Sequence, residues 1–383
     1  MRVAIVRQRY NPYGGAERFI ERTLPALERA GAEVTLIARS ADGWGARRFV
    51  AVDPFHLGSA WRDASFARAA RRAWEAGGFD LVQSHERIPG CDVYRAGDGV
   101  HAEWLDIRRA AAGSGPLFAA RMGIAFNPYH RYVCEAERRM FAHPKLRAVL
   151  CNSRMVRAEI ERRFQVAPEK LHVVYNGVDL ERFHPGVRAA LRSAARAELG
   201  IGEDAFLFVF VGSGFWRKGL DAAIEALAAA GDPSFHLAVA GRDRHAARYA
   251  ARAQAAGLGA RLRLLGGRDD VRPLYAAADC FLLPTRYDPF PSTGLEALAM
   301  GVPVIVGRRC GVAEILRQGE GGWICDPDDI RGLAHLLHEA ARAPGDNSRS
   351  AAARAAAEPY GIDAMALRLT ELYASLAPRQ VAS

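Results

Sequence analysis

Short apolar runs alternate along the chain with longer stretches in which apolar side chains recur at helical spacing, the pattern of βα units. RVAIV (2–6), EVTLIA (33–38), RFVAVDPF (48–55), DLVQSH (80–85), DVYRAG (92–97), AVLCNS (148–153) and LHVVYNG (171–177) predict the strands of one sheet. FLFVFVG (206–212), FHLAVAG (235–241), RLRLLG (261–266), CFLLP (280–284), PVIVG (303–307) and GGWICD (321–326) predict a second. The fold class that follows is α/β, with doubly wound parallel sheets. Between the two sets lie a turn at Asn176 and Gly177, a Pro-Gly pair at Pro185 and Gly186, and a helical run. Turn chemistry between two sheets marks a domain boundary, with a hinge near 177 to 187. The Ala-rich SRSAAARAAAEPY and the amphipathic MALRLTELYASLA predict two closing helices.

Length agrees with two domains, since 383 residues exceed what one hydrophobic core organises. No apolar run approaches the roughly 20 residues a membrane span needs, and the apolar stretch before Arg7 is only strand-length, so neither a span nor a secretion signal is expected. Six cysteines, at 91, 134, 151, 280, 310 and 325, show no CxxC spacing. They read as buried free thiols of a reducing compartment, the cytoplasm, rather than a disulfide or zinc framework.

The net charge of +9 is unevenly placed: residues 1–183 hold 29 Lys+Arg against 21 Asp+Glu, and 184–383 hold 23 against 22. An anionic partner on the N-terminal side fits this bias, whether nucleic acid, a lipid surface or a phosphorylated acceptor, and so does a merely solvated Arg-rich surface. Residues 101–163 carry 12 basic and 6 acidic residues, with Trp104, Phe118, Phe126, Tyr129, Tyr132 and Phe141 interleaved. Without an RNA-binding motif, that stretch points to peripheral contact with an anionic membrane, and no nucleic-acid partner is expected.

The candidate chemistry concentrates in TRYDPFPSTGLEALAMGVPVIVG (285–307). Pro289 and Pro291 keep a helix out of the loop, Thr293 and Gly294 open one, and Glu296 is expected in its first turn. A helix start offers unpaired N–H groups and a positive dipole end, so phosphate can dock there while Glu296 accepts from a ribose hydroxyl. A solvated loop acid and an ordinary first-turn acid would look alike in sequence. Two further anchors stand at the ends of predicted strands. Gly14 and Gly15 fall just before a helix, and Arg217 and Lys218 lie where an α/β sheet binds ligands, unless they are solvated loop cations. Lys218 is one of only three lysines. Neither a GxGxxG fingerprint nor a Walker loop is present, which disfavours NAD binding and P-loop hydrolysis.

Taken together, NPYGGAERF, IPGCDVYRAGDGVHAEW, VGSGFWRKGLDAAIEAL, GRDDVRPLYAAAD and LEALAMGVPVIVGRRCGVAEIL resemble the family 4 retaining glycosyltransferases of GT-B fold, over nearly the whole chain. The likeness is greatest to the members that glucosylate the lipopolysaccharide-core heptose. The family's signature is two Glu separated by seven residues; here that spacing runs from Asp288 to Glu296, the first acid one methylene shorter. The resemblance implies two Rossmann-like domains facing across a cleft: residues 1–180 for the acceptor and 187–360 for the nucleotide sugar, with a C-terminal helix at about 361–383 packing back on the first. It implies a hexosyltransferase that takes glucose from UDP-glucose to a lipopolysaccharide-core heptose or similar lipid-linked glycan, with retention. The nucleotide sugar is a co-substrate, with no cofactor and no metal, and the location is cytoplasmic or peripheral on the inner membrane's cytoplasmic face.

Residue by residue, the resemblance gives Glu296 the ribose, and Phe290, Pro291, Ser292, Thr293, Gly294 and Leu295 the loop that holds phosphate and sugar. Arg217 and Lys218 neutralise the diphosphate, Gly14 and Gly15 face it, and Asp288 holds donor-sugar hydroxyls. Asp98 falls where many members carry a histidine near the anomeric centre. An acid there orients the acceptor hydroxyl or stabilises oxocarbenium-like charge, although a turn between Gly97 and Gly99 suits an aspartate equally. His85 and His101 are weaker candidates. A non-catalytic nucleotide-sugar-binding scaffold and a basic nucleic-acid binder are the alternatives.

Overall fold

The computed structural model describes residues 1–10, 15–111, 127–202, 204–342 and 347–376, leaving aside the side chains of 15–18. Gly14, Phe118 and Phe126 lie outside the described residues. The chain forms two compact units: Met1–Asn176 with Ile362–Ser383, and Gly177–Gly361.

In the first unit, seven parallel strands lie in the order β5-β3-β1-β6-β7-β8-β9. These are β1 (Arg2–Val6), β3 (Glu33–Ala38), β5 (Phe49–Ala51), β6 (Leu81–Ser84), β7 (Val93–Ala96), β8 (Ala148–Cys151) and β9 (Leu171–Val173); β2 (Arg9–Tyr10) and β4 (Ser40–Ala41) make a separate short pair. Winding runs from β1 through β3 to β5, then crosses to β6 on the other side of β1. That reversal is a switch point where the carboxyl ends of β1 and β6 diverge. The two sheet faces bury separate apolar clusters, one around Phe66, Trp74 and Met140, the other around Ile20, Leu36 and Tyr373. Tyr373 stands on the helix Ile362–Leu376, and its hydroxyl donates to Gln83 Oε1.

The second unit repeats the topology with six strands, β12-β11-β10-β13-β14-β15. They are β10 (Phe206–Val211), β11 (Phe235–Ala240), β12 (Leu262–Leu264), β13 (Cys280–Leu283), β14 (Val304–Gly307) and β15 (Gly322–Cys325). Every residue of β10, FLFVFV, is buried, as expected for a parallel strand covered on both faces. Here the switch point lies between β10 and β13.

Three predicted strands shrink to three residues, RLRLLG keeping only Leu262–Leu264. RFVAVDPF supplies only Phe49–Ala51, all three exposed on the sheet edge, and LHVVYNG supplies Leu171–Val173. The thiols are free in all six cysteines, five of them buried. No helix among the described residues is long and apolar enough to cross a membrane.

Candidate functional site

The switch point of the second unit gathers the segment after β10 and the loop after β13. Phe215–Lys218 forms a single helical turn, bounded by Gly214 and Gly219 in left-handed conformations (φ 76° and 79°). Gly219 is required twice over, because a Cβ there would sit 1.9 Å from the carbonyl oxygen of Pro284. The turn aims Lys218 at Asp288, and Nζ donates to Oδ2; Arg217 Nη1 lies 3.4 Å from the same oxygen. Lys218 and Asp288 are only 8% and 6% exposed, so they are neither loop cation nor loop acid in solvent. Burial pushes the lysine ammonium below its ordinary value, opposed by Asp288.

Backbone and side-chain bonds hold the two loops in register. Arg217 Nη1 donates to the Tyr287 carbonyl (3.0 Å), Thr285 Oγ1 to the Arg217 carbonyl (2.9 Å) and Arg286 N to the same carbonyl (2.9 Å). Arg286 forks onto Asp221 at 2.7 and 3.0 Å while stacking on Trp216. On the far side, Asp288 N donates to the Arg309 carbonyl at 2.9 Å.

The helix that follows is Ser292–Ala299, so Glu296 stands in its second turn and not its first. The register starts at Ser292 because Pro291 takes the N-cap position, and no side chain caps that start. Glu296 is fully buried and accepts from the Tyr275 hydroxyl at 3.3 Å. Thr293 Oγ1 is buried without a hydrogen-bond partner, an unsatisfied hydroxyl beside an uncapped helix N-terminus. Ser292 and Thr293 are partly exposed, whereas Phe290, Pro291, Gly294 and Leu295 are buried.

The first unit has its own pocket of about 270 Å³ at its switch point. The carboxyl end of β1 supplies Arg7, Gln8 and Arg9; the segment after β6 supplies Glu86 and Arg87. Glu86 ties the two together, accepting from Gln8 N at 2.9 Å and Arg7 Nη1 at 3.3 Å. Arg62 Nε and Gln8 Nε2 both donate to Asp63 Oδ1, at 2.8 and 3.0 Å. Asp98, Tyr129 and Tyr132 complete the wall, with Gly99 after Asp98 in a left-handed turn (φ 70°). Gly15 opens the helix Gly15–Arg29 as its first residue rather than preceding it.

The histidines differ. The Nε2 of His85 contacts the amide nitrogen of Gln83 at 3.0 Å. Since Gln83 Oε1 accepts from Tyr373, that amide donates and the proton of His85 sits on Nδ1, which is buried and unpartnered. Burial holds His85 neutral. His101 pairs with His130 at 3.0 Å, and burial with nearby cations pulls it down to about 3. Phe141 is core, edge-on to Tyr94 at 5.6 Å and against Phe164 at 4.5 Å, so it leaves the predicted membrane-facing stretch.

Sequence reasoning missed Tyr275, Arg286–Asp221 and the unsatisfied hydroxyl of Thr293. It also missed the first-unit pocket apart from Asp98 and the two tyrosines. The arginines flanking Gln8 directly after the first strand were the one available signal, since they stand at a strand's carboxyl end.

Two doubly wound parallel-sheet units in tandem, with charged loops gathered at each switch point, define the GT-B class of glycosyltransferases. The structure matches that of WaaG, a glycosyltransferase involved in lipopolysaccharide biosynthesis, with a TM-score of 0.80 and 24% identity over 97% of this chain and 99% of that one. Anabaena Alr3699/HepE in complex with UDP-glucose matches at a TM-score of 0.74, with 18% identity over 98% and 100% of the two chains. These likenesses bear on fold. In sequence, the chain is 28% identical to the lipopolysaccharide glucosyltransferase WaaG of Escherichia coli K12 over 89% of each protein. It is 30% identical to a probable transglycosylase of Burkholderia thailandensis over 86% of this chain and 83% of that protein. Residues 13–182 match the model described as Glycosyltransferase Family 4, and residues 192–358 that of Glycosyl transferases group 1. The chain belongs to this family of nucleotide-sugar glycosyltransferases.

Proposed function

We propose that the protein transfers glucose from UDP-glucose, with retention and without a metal ion, to a lipopolysaccharide-core heptose or a similar lipid-linked glycan. The observation that carries this reading is the Arg217–Lys218–Asp288 cluster, set at a switch point beside the uncapped start of the helix Ser292–Ala299. A nucleoside diphosphate leaving a sugar needs its developing charge neutralised. Two adjacent cations and free helix N–H groups supply that without a divalent ion. Asp288, anchored by its backbone and by Lys218, is placed to accept from donor-sugar hydroxyls, and Glu296 from the ribose. In the first unit, Asp98 and the carboxylates of Asp63 and Glu86 offer acceptors for the hydroxyls of an acceptor sugar, and Tyr129 and Tyr132 offer faces for its ring. The names of the Escherichia coli relative and of the UDP-glucose complex favour glucose and UDP over other donors.

The test is UDP release from a panel of UDP-sugars in the presence of a heptose-containing lipid core, followed by the linkage of the product. Lys218→Ala and Glu296→Ala run beside the parent and are expected to lose at least tenfold in kcat/KM. Tight UDP binding by the parent with no turnover on any acceptor would replace this reading with a binding scaffold.

A further inference from the structure

Gly97, Asp98 and Gly99 follow the carboxyl end of β7, and the side chain of Asp98 is exposed in the first unit's pocket while Gly99 is buried. A glycine on each side gives this carboxylate a backbone with unusual freedom to lose. Yet neither flanking carbonyl is loose. Asn152, one residue past β8, donates from Nδ2 to the Gly97 carbonyl at 3.1 Å, and Arg87 donates from Nη2 to the Gly99 carbonyl at 3.2 Å. Glu137, on the helix Pro128–Phe141, fixes Arg87 in turn: its Oε1 accepts from Arg87 Nε at 2.7 Å and from His101 N at 2.8 Å. His101 is the first residue of the helix His101–Ala111. One carboxylate oxygen therefore holds both the side chain that clamps the turn and the helix that leaves it. Beneath the turn lies the buried guanidinium of Arg95, stacked on Phe19 at 3.7 Å; a Cβ on Gly97 would sit 2.1 Å from Arg95 Nη1.

Stability does not account for these ties. Glu137 and Asn152 are 1% and 2% exposed, and each directs one atom to the turn while the other, Glu137 Oε2 or Asn152 Oδ1, stays buried without a hydrogen-bond partner. An unsatisfied buried polar atom costs about 1–3 kcal/mol, at least what a neutral hydrogen bond contributes. An apolar side chain of similar volume would fill either place without that cost. Two buried residues that give up stability and converge on one exposed carboxylate mark a functional constraint. Electrostatics points the same way, because Asp98 favours the charged forms of both Arg87 and Arg95 and so lies within reach of two guanidinium groups.

We propose that Asn152 and Glu137, the latter through Arg87 and the His101 amide, are positioning residues that hold the Asp98 carboxylate toward the acceptor sugar. A carboxylate that orients a hydroxyl must be set to within about 0.5 Å, and a 1 Å misplacement can cost about a hundredfold in rate. The proposal rests on the acceptor role that the proposed function gives to Asp98; the rigidity of the turn does not.

The experiment compares Asn152→Ala, Glu137→Gln, Asp98→Asn and Asp98→Asn/Asn152→Ala with the parent, all full length, in steady-state transfer and in amide hydrogen exchange of the unliganded protein. Asn152→Ala removes the unsatisfied oxygen together with the tie, so it should melt within a few degrees of the parent and keeps the test readable where Glu137→Gln, which strands Arg87, fails to fold. Asn152→Ala is expected to lower kcat by about tenfold or more while the donor KM stays within about twofold. The double variant should be no slower than Asp98→Asn alone, because a positioning residue has nothing left to position. Exchange over residues 97–101 should quicken by about tenfold or more in Asn152→Ala, with the rest of the first unit unchanged. A kcat for Asn152→Ala within twofold of the parent's overturns the proposal, and so do losses that multiply in the double variant. Exchange over 97–101 equal to the parent's overturns it as well, and that readout needs no substrate. A parent that transfers to no acceptor removes the proposed function and with it the role given to Asn152 and Glu137, whereas an active parent beside an equally active Asn152→Ala removes this proposal alone.

Discussion

Removing the carboxylate from Asp288 while keeping its shape, as in Asp288→Asn, leaves the Lys218 ammonium buried and without its charge partner. Breaking a buried pair from one side costs about 3–5 kcal/mol, since the surviving ion keeps its desolvation penalty. Arg217 is one-third exposed and shares the same oxygen, so its release to solvent relieves a little of the loss. We therefore expect about 3 kcal/mol. For a cooperative unit the size of Gly177–Gly361, each kcal/mol moves the melting temperature by about 2–4 °C, which places the shift near 6–12 °C. Lys218→Met should cost a comparable amount. The double variant Lys218→Met/Asp288→Leu should recover most of the loss, to within about 1 kcal/mol of the parent, because two apolar groups of similar volume carry no desolvation penalty. All three variants should lose UDP-release activity, which separates folding from transfer within one set of proteins. Thermal and urea unfolding followed by circular dichroism supply the stabilities. A loss below about 0.5 kcal/mol for Asp288→Asn, or a double variant no more stable than either single one, would refute the buried-pair reasoning.

Three further outcomes are expected. Gly219→Ala should lower the melting temperature strongly and abolish donor binding, while Gly231→Ala, with similar positive φ (67°) and open space around it, should cost only about 1 kcal/mol by differential scanning calorimetry. Thr293→Val removes the unsatisfied hydroxyl; stability should rise by about 1 kcal/mol and the KM for the donor should rise with it, whereas a more stable protein with unchanged KM would detach Thr293 from the donor. His101, ordinarily at 6.5, is held at about 3 in the folded protein, so between those values the unfolded chain binds the extra proton. Its contribution is complete above pH 6.5 and is lost as pH falls toward 3. His101→Gln should reduce the loss of stability between pH 6.5 and 4 by roughly 1–3 kcal/mol, read from melting curves across that range.

Strand positions were legible because period and composition are local properties of the sequence. EVTLIA forms β3 over the same residues, 33–38, and FLFVFVG supplies β10 over all but its final glycine. The helix Asn347–Ala357 came from propensity alone. The strands at 48–55 and 171–177 read too long, because strand length depends on a neighbour to bond with, and β5 has one on a single side. Glu296 was placed one turn early, since Pro291 sets the register by capping and Thr293 and Gly294 do not. The Asp288–Lys218 pair spans 70 residues of sequence, and no local pattern reports such a meeting.

The sequence by itself therefore determined the two α/β halves, the turn between them, the charge bias of the first half, and the segments that resemble a glycosyltransferase family. Those follow from periodicity, turn chemistry and residue type. Only the tertiary structure decided that Asp288 is a buried partner of Lys218 rather than a solvated acid. It alone brought Arg7, Arg62, Glu86 and Asp98 to one pocket, and left Phe55, Leu57 and Trp61 in the open. Burial and pairing are set by which strand lies beside which, and the crossovers of the two sheets, from β1 to β6 and from β10 to β13, fix that at long range.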